Sequence, residues 1–168
     1  MTEKEAMELA AVEAFLSSYN KLMGASYGVN GRGKPGEQAD FYCIDSDLCE
    51  LWIEVTHTED HRGKDIVSLL GRSDFRDELP EHPSCLQGNV RHNLIEIIQE
   101  KVRKAYASKS NTALVIRSAS GVPWTWEWIV EDVRNTLGLP NGTYDRGIWI
   151  LSHVENRIVR VDKDELET

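Results

Sequence analysis

Ala39-Asp40-Phe41-Tyr42-Cys43-Ile44-Asp45-Ser46-Asp47-Leu48-Cys49-Glu50-Leu51-Trp52-Ile53-Glu54-Val55-Thr56 alternates with period two on either side of a polar centre. Phe41, Cys43, Leu51, Ile53 and Val55 hold the odd positions, and polar groups and large aromatics hold most even ones, as in strands with one buried face. Asp45-Ser46-Asp47 is turn chemistry, so the segment predicts a β-hairpin. With the turn centred on Asp47, the numbers of opposed residues add to 94. That register sets Asp40 opposite Glu54 and Tyr42 opposite Trp52, with Thr56 beside Glu54 on the same face. Two carboxylates facing each other across a ladder repel, and a divalent cation is the obvious compensation. Magnesium suits the pair, because it takes oxygen ligands, accepts one or two carboxylates and completes its shell with water and phosphate. The same residues also suit a plain strand start and a solvated sheet face.

Working outward, residues 3–23 predict a long helix with Leu9, Val12, Leu16, Tyr19 and Met23 as its apolar stripe and Gly24 as its stop. Residues 28–36, with four glycines and a proline, predict a turn region and one short strand. Gly31-Arg32-Gly33-Lys34 lacks the spacing of a phosphate-binding loop. Residues 58–90 are polar and predict an irregular insertion. Arg91 to Ser108 predicts a second amphipathic helix buried along Leu94, Ile98, Val102 and Ala105. Thr112 to Ile116 predicts a strand, Pro123 to Leu137 a third helix, and Gly147 to Ser152 and Arg157 to Val161 the last strands. The order α-β-β-β-α-β-α-β-β is that of an α/β domain around a mixed sheet.

Gly36-Glu37-Gln38-Ala39-Asp40-Phe41, with Glu54-Val55-Thr56 beginning after thirteen residues beyond Asp40, resembles the PD-(D/E)XK nuclease superfamily. The resemblance extends to the element order, from the glutamate-bearing first helix to the helix around Lys101 and the strand Ala113-Leu114-Val115-Ile116. It implies one domain over residues 1–168. A restriction-endonuclease-like mixed sheet flanked by helices would occupy residues 3–118, and 119–168 would add a helix and two strands. It also implies hydrolysis of DNA phosphodiester bonds with Mg2+ (or Mn2+) held by Asp40, Glu54, the Val55 carbonyl and, from the first helix, Glu8, which shares a face with Val12, Phe15 and Tyr19, with Glu5 and Glu13 as alternatives. Ala39 stands where the motif has proline, and Thr56 where it has lysine. The second departure is serious, because a neutral threonine cannot offset charge on the phosphate or help activate water. The superfamily tolerates a lysine from the following helix. Lys101, at the edge of the buried stripe, is the better candidate here and Lys104 the alternative.

The 168 residues carry 19 Lys and Arg against 28 Asp and Glu, a net charge of −9, which argues against coating nucleic acid by bulk electrostatics. Arg91 to Arg117 departs from this, with six basic residues against two glutamates. A nucleic-acid surface would therefore be a local strip of Arg91, Lys101, Arg103 and Lys104, flanked by Arg32 and Lys34. Three cysteines without a Cys-x-x-Cys spacing argue against a disulfide framework. No apolar run approaches the ~18 residues that span a bilayer. The N-terminus is unlike a secretion signal, and a cytoplasmic location is expected.

His57, His61, His82, Cys85 and His92 match no zinc spacing, and nothing marks Cys85 as a nucleophile with a base and an oxyanion site. Trp124, Trp126 and Trp128 suit a helix packed on the sheet, with Trp124 or Trp126 left as an interface candidate for a base or a protein. Tyr144-Asp145-Arg146-Gly147 reads as a turn without chemistry. Two functional readings stand: a magnesium-dependent nuclease, or a catalytically degenerate nuclease fold serving as a binding or regulatory module. DNA, a protein partner or a second copy are the corresponding partners, and no membrane is implied.

Overall fold

The computed structural model describes residues 1–57, 94–103, 110–118, 131, 134–135, 144–152 and 157–162. In chain order these form α1 (Glu3–Met23), β1 (Gly28–Arg32), β2 (Phe41–Ile44), β3 (Glu50–His57), a helix α2 across residues 94–103, β4 (Thr112–Ser118), β5 (Ile148–Ser152) and β6 (Ile158–Arg160). The 58–90 insertion with His61, His82 and Cys85, and also Arg91, His92, Lys104, Trp124, Trp126 and Trp128, lie outside the described residues. Of the expected third helix, residues 131 and 134–135 are described, and they are helical.

The hairpin pairs as its alternation requires. Phe41 faces Ile53, Tyr42 faces Trp52, Cys43 faces Leu51 and Ile44 faces Glu50, each pair adding to 94. Its turn is held by the Asp45 carboxylate, which accepts the N–H groups of Asp47 and Cys49 at 2.9 Å each. Leu48 takes the left-handed φ of 62° that the chain reversal needs.

Six strands form one mixed sheet in the order β1-β2-β3-β4-β5-β6. β3, β4 and β5 run parallel at its centre, and the outer pairings are antiparallel. A parallel neighbour needs a crossover, and α2 lies on the crossover between β3 and β4. The two faces are covered from opposite sides. Val12, Phe15, Leu16 and Tyr19 of α1 bury the odd positions of β2 to β5, including Phe41, Ile53, Val115 and Trp149. Leu94, Ile97 and Ile98 of α2 bury the even positions of β4 and β5, Leu114, Ile116, Ile148 and Ile150.

Both ends of α1 follow from local chemistry. Thr2 and Glu5 form a capping box, with the Thr2 hydroxyl accepting the Glu5 N–H at 3.1 Å and the Glu5 carboxylate accepting the Thr2 N–H at 2.7 Å. Gly24 ends the helix at φ 63°, where a side chain would be strained. The expected stripe needs correction at one point: Met23 is 46% exposed. Residues 21–24 are exposed throughout, so helical phase alone does not bury the last turn, whereas Phe15, outside the expected stripe, is fully buried. Among the described residues, no helix is long and apolar enough to cross a membrane.

Candidate functional site

Asp40 sits one step before β2, opposite Glu54 in the register that the hairpin defines. Its backbone is anchored on β1's side, where the Gly33 N–H donates to the Asp40 carbonyl at 3.0 Å. A Cβ on Gly33 would stand 1.9 Å from the Ala39 carbonyl oxygen, so only glycine allows this approach. The Asp40 carboxylate turns toward β3 and accepts the Val55 N–H at 2.8 Å. In an antiparallel pair a residue aims its N–H and C=O at the same neighbour, so the Val55 carbonyl leaves β3 on Asp40's side. Burial pushes the Asp40 carboxyl above the usual aspartate range. The Val55 N–H works against the shift, Glu54 and Glu8 add to it, and Lys101 opposes it.

Glu54 is 3% exposed, on the even face that α2 covers. A buried carboxylate needs partners, and two come from distant parts of the chain. Lys101 of α2 places its Nζ 2.9 Å from Oε1, its side chain 18% exposed. Tyr144, buried just before β5, donates its hydroxyl to Oε2 at 3.1 Å. The lysine expected to stand in for Thr56 thus reaches the acidic pair, while Lys104 lies outside the described residues. Thr56 itself is half-buried, two residues along the same strand face. Tyr42 and Trp52 continue that face in the other direction, their rings 4.9 Å apart.

Glu8 points inward from α1, as its position beside Val12 and Phe15 requires. Its carboxylate is committed to Arg32, whose guanidinium lies 2.9 Å from Oε2 and stacks over the Phe41 ring. Arg32 also lies 3.5 Å from Glu5. Of the basic strip, then, Arg32 and Lys101 are drawn into ion pairs, Lys34 and Arg103 are exposed, and Arg91 and Lys104 are not described. His57 is buried at the end of β3.

Tyr144 is the site residue that sequence reasoning misses. Ninety residues separate it from Glu54, and no local periodicity carries information over that distance. The four-residue segment reads correctly as a turn: the Gly147 N–H donates to the Tyr144 carbonyl at 3.0 Å. Its chemistry appears only once β4 and β5 are laid side by side.

Among the described residues, no three His, Cys, Asp or Glu side chains are grouped to hold a metal ion unaided. The groups that could share one, Asp40, Glu54 and the Val55 carbonyl, are all oxygen donors, two carboxylates and one carbonyl. That composition fits magnesium, which keeps several waters and shares substrate phosphate oxygens, better than zinc, which favours nitrogen and sulfur. Glu8, paired to Arg32, stands beside this set as a neighbouring charge. Compared with protein-family models, with curated proteins and with solved structures, the chain finds no match in any of the three.

Proposed function

We propose that this chain is a magnesium-dependent nuclease of the restriction-endonuclease-like fold, hydrolysing DNA phosphodiester bonds at the Asp40–Glu54 edge. The observation that carries the reading is the 2.9 Å contact between Lys101 and Glu54. It supplies a cation from α2 at the acidic pair, where the resemblance requires a lysine and position 56 provides none. The metal, when bound, would bring a water nucleophile and a phosphate together and offset charge on the phosphate. Asp40 and Glu54 would hold it, with the Val55 carbonyl as a third donor. Lys101 would keep a positive charge beside the phosphate, to offset negative charge growing there.

A second reading is favoured by a specific observation. Both Glu54 oxygens already have protein partners, Lys101 and Tyr144, so the carboxylate is satisfied without any cation. Together with the net charge of −9 this suits a degenerate nuclease fold that binds DNA, a protein or a second copy without cutting.

The test is cleavage of single- and double-stranded DNA with magnesium or manganese, against Asp40→Ala and Glu54→Ala. Activity that needs the metal and both carboxylates supports the first reading. Binding without cleavage, weakened by salt with a log-log slope of about −4 to −5 for some five phosphate contacts, supports the second. Cleavage that survives both substitutions refutes the nuclease reading.

A further inference from the structure

We infer that Tyr144 is a positioning residue for the acidic pair, setting the orientation of Glu54. The inference rests on the proposed metal site and adds to it a residue from outside the resemblance.

The Tyr144 ring is buried in the cluster formed by α2 and the even face of β4 and β5, with Leu94, Ile98 and Leu114 among its neighbours. From there its hydroxyl reaches past β4 to Glu54 on β3, at 3.1 Å from Oε2, and lies 3.5 Å from the Lys101 backbone carbonyl. A phenol has one proton to donate. The shorter distance and the negative charge both direct it to the carboxylate. Glu54 is therefore gripped through each oxygen, by an ammonium on Oε1 and a phenol on Oε2. Each carboxylate oxygen can accept more than one partner, so the grip fixes the plane of the group without exhausting its capacity for a cation.

The tyrosine is itself held on a rigid base. Asp145 accepts the N–H groups of Asn111 and Thr112 at 2.6 and 2.8 Å, locking the turn to the start of β4. The Arg146 N–H donates to the Thr112 carbonyl, and the Leu114 N–H to the Gly147 carbonyl, each at 3.0 Å. Gly147 takes φ 99°, and a Cβ there would stand 2.7 Å from atoms of both Trp149 and Arg160. A hydroxyl presented from such a turn cannot follow a wandering carboxylate; the carboxylate must come to it. Hydrogen bonds that orient a metal-holding carboxylate typically contribute 10–100-fold in affinity or activity.

The experiment is Mn2+ binding to the full chain by calorimetry, for the parent, Glu54→Gln and Tyr144→Phe. Phenylalanine keeps the ring and removes only the hydroxyl. We expect the parent to bind, Glu54→Gln to lose binding, and Tyr144→Phe to bind roughly 10–100-fold more weakly with its thermal midpoint little changed. If Tyr144→Phe binds Mn2+ as the parent does while Glu54→Gln does not, the positioning role is refuted and the metal site stands. If the parent binds no Mn2+, or Glu54→Gln binds equally well, the metal site fails and takes this inference with it. Should Tyr144→Phe not fold, 4-fluorophenylalanine at position 144 keeps the ring and nearly the size of the hydroxyl while removing its proton. The same roughly 10–100-fold weakening of Mn2+ binding is then expected, and parent-like binding overturns the proposal.

Discussion

Lys101→Met removes the ammonium from Glu54 while keeping most of the aliphatic stem. In the parent the pair is 2.9 Å apart, with the side chains 18% and 4% exposed, so neither charge is well hydrated. At that distance and an effective dielectric of ~20, the direct attraction is about 6 kcal/mol. Not all of it is lost, because water can reach the lysine side of the pair and the Tyr144 hydroxyl stays on Oε2. Removing one partner of a buried pair costs about 3–5 kcal/mol, and the remaining phenol argues for the lower end, about 3 kcal/mol at neutral pH. For a chain of 168 residues this corresponds to a fall in Tm of about 6–12 °C. Urea unfolding of parent and variant at about pH 7 measures the loss. A loss below ~1 kcal/mol would mean that the pair behaves like an exposed ion pair, and would refute the reasoning.

Asp40→Asn should be more stable than the parent at neutral pH. Burial and the nearby Glu54 and Glu8 raise the Asp40 carboxyl, so its charged form opposes folding above that raised value and not below the ordinary aspartate value. Melts across pH should show the gap closing as pH falls into the ordinary aspartate range, and a variant less stable at neutral pH would contradict this. Gly33→Ala forces the Ala39 carbonyl away from a contact that would be 1.9 Å, and should cost about 1–3 kcal/mol in urea unfolding while displacing Asp40. Full retention of both stability and Mn2+ binding would show that the two segments part easily. Burial pushes the Cys43 thiol up to about 12, so it should resist alkylation at about pH 8 until the chain unfolds, while exposed Cys49 reacts at once. Peptide mapping after a timed alkylator pulse distinguishes the two.

By itself, the sequence determined the hairpin, its register and hence the opposition of Asp40 to Glu54. Period two and a turn of defined centre leave one pairing that buries Phe41, Cys43, Leu51, Ile53 and Val55 together. It also determined the inward face of α1 at Glu8, through helical spacing, and the end of that helix, through Gly24. The partners of Glu54 were decided elsewhere. Lys101 could be named as a candidate from its place beside the buried stripe, but its reach to Oε1 depends on how α2 lies across the sheet. Tyr144 could not be named at all, and Arg32 read as a phosphate contact until its pairing with Glu8 was seen. The physical reason is the same in each case. Antiparallel neighbours joined by a short turn carry their register in local alternation. Parallel strands joined by long crossovers, and ion pairs that bridge separate elements, are set by burial and charge compensation in the assembled fold, to which adjacent residues hold no key.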